Sequence, residues 1–189
     1  MSNFRKLLKR IISNDETLES IILIDSRIYD IEVELLARAL RNNTKVKELD
    51  LYSNQIGPKG AKALAKLLEK NKTLIFLHLG HNPIGDEGAQ FLAEALEKNT
   101  TLENLNLDEA KIGDKGAKTL AESLTINTTL KILDLSHNKI GSTGLEALEI
   151  VVAYDGANLY LQDQKPPPPS SIFQPKSSMV GRELRTQFR

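Results

Sequence analysis

The 189-residue chain has no cysteine and no tryptophan, so disulfide frameworks, thiol nucleophiles and thiolate metal sites are excluded at the outset. The composition suits a reducing compartment, most simply the cytoplasm. Charge of one sign is missing as well. The 25 Lys and Arg residues balance 25 Asp and Glu, which argues against a strongly basic nucleic-acid binder. Long hydrophobic runs are also absent. No stretch approaches the roughly 20 apolar residues of a membrane span. The opening MSNFRKLLKRIISNDE interleaves basic with apolar residues, so no secretory signal is visible. These absences leave one soluble domain with neither nucleic acid nor membrane as partner.

What the chain does have is a repeat of 28 residues. It begins at TLESIIL (17), KVKELDL (45), TLIFLHL (73), TLENLNL (101) and TLKILDL (129). A second half recurs as GPKGAKALAKLL from Gly57, GDEGAQFLAEAL from Gly85, GDKGAKTLAESL from Gly113 and GSTGLEALEIVV from Gly141. In the first half Leu77 and Leu79 alternate as in a short strand, and Asn82 closes the turn. In the second, Gly88, Ala89, Leu92, Ala93 and Leu96 form one apolar helical stripe. One unit buries about seven apolar side chains at ~1.5–3 kcal/mol each, while ordering its backbone costs ~1–2 kcal/mol per residue. A single unit therefore cannot fold; stacked units cover one another's apolar faces.

The L-x-x-L-x-L-x-x-N pattern of Leu74, Leu77, Leu79 and Asn82, followed by I-G-x-x-G-A-x-x-L-A-x-x-L, resembles the leucine-rich repeat family, in its ribonuclease-inhibitor-like class of 28-residue repeats. The resemblance covers roughly residues 17–150. It implies an α/β solenoid, curved, with a parallel β-sheet on the concave face and α-helices on the convex face.

The ends depart from the repeat. Phe4, Leu7, Leu8, Ile11 and Ile12 fall at helical spacing, and residues 1–16 read as an N-terminal capping helix. Residues 17–162 hold five full repeats and a truncated terminal strand at Leu159-Tyr160-Leu161, whose leucines arrive two residues early after the turn-like Tyr154-Asp155-Gly156. Residues 163–189 form a Pro-rich basic tail. Its Pro166, Pro167, Pro168 and Pro169 read as polyproline II, and a proline-recognition domain is a second possible partner there.

No catalytic set emerges, and neither a cofactor nor a metal is expected. Gly113-Asp-Lys-Gly-Ala-Lys-Thr119 departs from a phosphate loop because Ala117 separates Gly116 from Lys118, and the segment recurs in every repeat. His81 and His137 share a column two repeats apart, about 10 Å at the usual strand spacing, too far for one metal. Asp50, His78 and Asp134 share another column without a placed nucleophile. The sequons at Asn71, Asn99 and Asn127 read as polar helix-to-strand turns.

If the strand leucines point inward, their neighbours point to the concave face. That face then carries Ser20, Ile22, Ile24 and Asp25; Glu48, Asp50, Tyr52 and Ser53; Phe76, His78, Gly80 and His81; Asn104, Asn106, Asp108 and Glu109; and Ile132, Asp134, Ser136 and His137. It has six carboxylates and no Lys or Arg. Lys59, Lys62, Lys66, Lys70, Lys115 and Lys118 of the helical halves carry part of the compensating charge, and the tail carries more.

The expected function is a non-enzymatic protein–protein interaction module. Its partner-binding residues are Glu48, Asp50, Tyr52, Phe76, His78, His81, Asn104, Asn106, Asp108, Glu109, Ile132, Asp134 and His137, facing a basic surface of another protein. An effector delivered by a bacterium into the host cytoplasm, an activator of a GTPase resembling the Ran GTPase-activating proteins, and a self-associating structural repeat stay open as readings. One irregularity stands out: Ser26 and Ala110 occupy the column held by Asn54, Asn82 and Asn138. The turn at Leu107–Lys111 is therefore expected to place Asp108 and Glu109 unusually.

Overall fold

Each repeat turns its two periodicities into two layers. The computed structural model describes residues 2–155 and 158–160, with side chains over 3–151. Six three-residue strands, β1 (Ser20–Ile22), β2 (Glu48–Asp50), β3 (Phe76–His78), β4 (Asn104–Asn106), β5 (Ile132–Asp134) and β6 (Asn158–Tyr160), form one parallel sheet in chain order. Helix α1 (Ser2–Ile12) precedes β1. Helices α2 (Asp30–Leu40), α3 (Pro58–Leu68), α4 (Gly85–Leu96), α5 (Asp114–Leu124) and α6 (Ser142–Asp155) follow the first five strands in turn, each packed on the next. This is an α/β leucine-rich repeat solenoid.

The register keeps the 28-residue step: Ile21 pairs with Leu49, Leu49 with Leu77, Leu77 with Leu105 and Leu105 with Leu133. The last step is shorter, because Leu133 pairs with Leu159. Helix α6 continues through Tyr154 and Asp155, so the turn expected at those two residues is instead the helix's last turn. The Pro-rich run and basic tail lie outside the described residues.

The core is continuous between the layers. Leu49, Leu51, Leu77, Leu79, Leu105, Leu107 and Leu135 meet Leu36, Leu64, Leu92 and Leu120 of the helices, all fully buried. Ile11 of α1 is buried against the first repeat. Gly60, Gly88, Gly116 and Gly144 let each helix approach its neighbour: a Cβ on Gly88 would lie 3.0 Å from that of Ala61 and 2.5 Å from Ile84 Cγ2. Strands stack about 4.8 Å apart and helices pack about 8–10 Å apart. A stack with that mismatch bends toward the strands, which makes the open face of the sheet the concave one.

Two asparagine ladders run through the stack. Asn54, Asn82 and Asn138 are buried in the strand-to-helix turns. Asn82 Nδ2 donates to the Leu51, Leu79 and Gly80 carbonyls while its Oδ1 accepts from Ile56 N. The second ladder, Asn43, Asn71, Asn99 and Asn127, sits at the helix-to-strand turns. Each donates to a carbonyl at the end of the helix one repeat earlier, as Asn71 does to Leu40 O at the end of α2 (2.8 Å) and Asn127 to Leu96 O at the end of α4 (2.6 Å). The sequon asparagines Asn71, Asn99 and Asn127 are thus buried and committed to backbone.

Candidate functional site

The central residue of each strand β1 to β5 is buried and its flanks are partly or fully exposed. Two lateral rows cross the sheet on the open side. One runs Ser20, Glu48, Phe76, Asn104 and Ile132; the other runs Ile22, Asp50, His78, Asn106 and Asp134. A third row follows each strand at Ile24, Tyr52, Gly80, Asp108 and Ser136, of which Gly80 and Ser136 are buried and present little surface. A fourth lies at Asp25, Ser53, His81, Glu109 and His137, all with left-handed backbone (φ 46–55°). The tertiary turn imposes that conformation on non-glycine residues at every repeat.

Several of these side chains also hold the turn beneath them. Asp50 Oδ1 accepts from Tyr52 N at 2.9 Å, Asp134 Oδ1 from Ser136 N at 2.9 Å, and Asn106 Oδ1 from Asp108 N at 3.2 Å. In these three repeats the side chain supplies an acceptor to the amide two residues on, and Asn106 shows that the bond does not need a charge, while Ile22 in the same row shows that the fold does not require it.

The face is densest around Asp108, whose side chain is 17% exposed. His137 Nδ1 lies 2.6 Å from Asp108 Oδ1, and His81 Nε2 lies 3.7 Å from Asp108 Oδ2 and 3.1 Å from Glu109 Oε2. The two histidines of one column thus flank a single carboxylate of the strand between them. Tyr52 packs its ring 4.7 Å from that of His81. Burial raises the Tyr52 phenol above its ordinary range, and the Asp108, Glu109, Asp134 and Asp50 carboxylates add to the rise. At the other edge of the strand, His78 Nε2 is 3.9 Å from Glu48 Oε1. No cluster of three or more His, Asp or Glu side chains among the described residues is disposed to hold a metal ion.

The structure adds two apolar residues that the sequence argument left out of the binding set: Ile22 and Ile24, 54% and 48% exposed. With Tyr52 and Phe76 they make the first half of the face more apolar, while Asn104, Asn106, Asp108, Glu109 and Asp134 make the second half polar. Ile22 and Ile24 both stand in the outward columns, and it is their exposure that makes them available to a partner.

The turn expected to be irregular at Leu107–Lys111 does depart from the others, but at Lys111 and not at Asp108 or Glu109. Glu109 (φ 48°) belongs to the common fourth row, so Asp108 and Glu109 are placed like their counterparts. The departures are the residues that follow the missing asparagines, Arg27 (φ 53°) and Lys111 (φ 61°), together with Gly85 (φ 65°) one repeat earlier. By the step of the ladder, an Asn at 110 would accept from Ile84 N as Asn82 does from Ile56 N; instead Ile84 N donates to Asn82 O. A second prop is missing at the same turn. Asp30 accepts from the Gly57 and Gly60 amides, and Asp86 from those of Gly113 and Gly116, but Pro58 stands in that column and Gly85 N donates to Ala110 O instead. The same bonds explain why Gly113–Thr119 is not a phosphate loop: its glycine amides are already taken by Asp86.

The family model described as the TMOD/LMOD leucine-rich domain matches residues 2–109, and a leucine-rich repeat model matches 98–121 and 127–148. Among solved structures, actin-binding site 2 of leiomodin-1 is 28% identical, with a TM-score of 0.72, over 81% of this chain and 89% of that one. The tropomodulin C-terminal domain of Caenorhabditis elegans is 15% identical, with a TM-score of 0.68, over 81% of this chain and 93% of that one, a likeness of fold. Among curated protein sequences none matches the chain.

Proposed function

The chain belongs to the TMOD/LMOD leucine-rich domain family, and from that premise we propose that it is a non-catalytic protein-interaction module whose partner is actin. One observation carries the reading: the likeness to leiomodin-1 spans 89% of a domain that is itself an actin-binding site. The binding surface in this reading is the concave face. Ile22, Ile24, Tyr52 and Phe76 supply apolar anchors, and Glu48, Asp50, Asp108, Glu109 and Asp134 supply a field for a basic patch on the partner. His78, His81, His137, Asn104, Asn106 and Ile132 complete the rim of that surface.

The test is co-sedimentation with actin filaments and analytical ultracentrifugation with actin monomers. The native chain is compared with Asp50→Asn/Asp108→Asn/Glu109→Gln/Asp134→Asn, which removes four charges and keeps the acceptors that hold the turns. The expected result is binding by the native chain, weakened about tenfold or more in the variant, that is by about 1.4 kcal/mol. Failure to bind either form of actin refutes the partner. Undiminished binding by the variant refutes the concave surface.

A further inference from the structure

The convex side carries a charge segregation of the opposite sign. A groove of about 300 Å³ between α2 and α3 is lined by Arg38, Arg41, Lys59, Lys62 and Lys66, with Glu34 the one carboxylate. None of the five cations forms an ion pair among the described residues; Lys62 Nζ instead lies 4.6 Å over the Phe91 ring. Ala37, Ala63 and Leu67 complete the lining and give the groove a small apolar floor.

The scaffold does not require this charge. Arg38, Lys66, Glu94, Glu122 and Ile150 occupy one exposed helical column, and Ile31, Lys59, Glu87, Lys115 and Thr143 another. Buried positions keep their identity from repeat to repeat while these change sign. Lys59 even stands in the first turn of α3, where a helix's own dipole disfavours a cation. Beyond α3 the surface turns acidic. Helix α4 exposes Glu87 and Glu94, Glu97 follows its end, and Lys98 there is paired with Glu69 at 3.0 Å.

We propose that the α2–α3 groove is a second docking surface, which takes an acidic peptide segment of a partner protein with carboxylates on either side of one apolar side chain. Lys59 to Lys66 spans about two helical turns, close to 10 Å, the length of a few peptide residues. Arg38 and Arg41 offer planar forks suited to carboxylates, and the alanine and leucine floor suits one small apolar group between them. A nucleic-acid duplex or a lipid surface that extended toward α4 would meet Glu87, Glu94 and Glu97, whereas a short acidic segment along the groove does not reach them.

The experiment measures fluorescence anisotropy of a short labelled peptide of glutamates around a central leucine, added to the full chain. Two variants are compared, Arg38→Glu/Lys66→Glu, and Arg41→Glu/Lys59→Glu, which leaves the Lys62–Phe91 contact intact. Both change exposed side chains only, and circular dichroism verifies that they fold. Saturable binding is expected, weakened about tenfold or more in each variant, reduced by added salt and weakened when the central leucine is replaced by serine. Four outcomes overturn the proposal: no saturable binding, binding by either variant as tight as by the native chain, displacement by inorganic phosphate at the same concentration as by unlabelled peptide, or binding confined to phosphatidylserine vesicles. The concave charge-removal variant should bind the peptide like the native chain, which keeps this test separate from the one for actin.

Discussion

Asn82 and Asn104 are the same residue type one repeat apart in the sheet layer, and they do opposite work. Asn82 is buried and satisfies three carbonyls and one amide of the backbone, whereas Asn104 stands partly exposed on the concave face. Replacing Asn82 by Ala leaves those groups without partners and should cost about 3 kcal/mol. Asn104→Ala should stay within about 0.5 kcal/mol. Urea unfolding of the two variants checks the contrast. Asp15 provides a titration of the same kind. The Arg10 guanidinium, 2.6 Å away, together with the Thr17 hydroxyl and amide, holds its carboxyl down to about 2. A lowered carboxylate stabilises the fold above its ordinary value of 3.8, and that contribution is lost as pH falls toward about 2. An NMR titration should place the Asp15 midpoint near 2, and Arg10→Gln should move it upward.

At the scale of the element, the turn between β3 and α4 is the one whose neighbours withdraw support from both sides. Pro58 supplies no carboxylate and Ala110 supplies no amide, and Gly85 takes φ 65° in consequence. Gly85→Ala should therefore cost about 1–2 kcal/mol for its left-handed backbone. Its Cβ would meet nothing within 4 Å, so the cost is conformational. In a Pro58→Asp/Ala110→Asn background both props return, and the cost of Gly85→Ala should fall by more than half. A thermal-denaturation double-mutant cycle measures the difference. The sequence showed one of the two missing props, Ala110 in the asparagine column; the other, Pro58, emerged only from the hydrogen bonds of Asp30 and Asp86. It did not show that the two converge on one turn, because they lie 52 positions apart in the chain and on opposite sides of the third repeat. It did show the strands and helices, since the strand half recurs in five copies and the helical half in four.

The whole molecule has two faces of opposite charge built on one core. The concave face has six carboxylates in its outward rows, and the convex α2–α3 groove has five cations to one carboxylate. They lie on opposite layers, so neutralising one should not alter binding at the other: the effects of combined variants should add within about 0.5 kcal/mol. The core couples them only through stability. Leu77→Ala, at a fully buried central position, should cost about 2–5 kcal/mol. Because each repeat is covered by its neighbours, this should lower the stability of the array rather than of one unit. Denaturant unfolding followed at two probes, one near α1 and one near α5, checks that the transitions coincide.

By itself the sequence determined the repeat, the two layers, the buried leucine columns, the asparagine positions in the turns, and which strand residues face out, because all of these follow from periods of 2, 3.6 and 28 residues. Only the tertiary structure decided the rest. Whether an outward residue is exposed depends on the height of its neighbours, which is why Ile22 and Ile24 stand out while Gly80 and Ser136 are covered. Whether a carboxylate is free for a partner depends on the turn it caps, as at Asp50 and Asp134. The cationic groove needed Arg38 and Lys66 to be brought together across two helices, a juxtaposition that the 28-residue step allows but that packing alone creates.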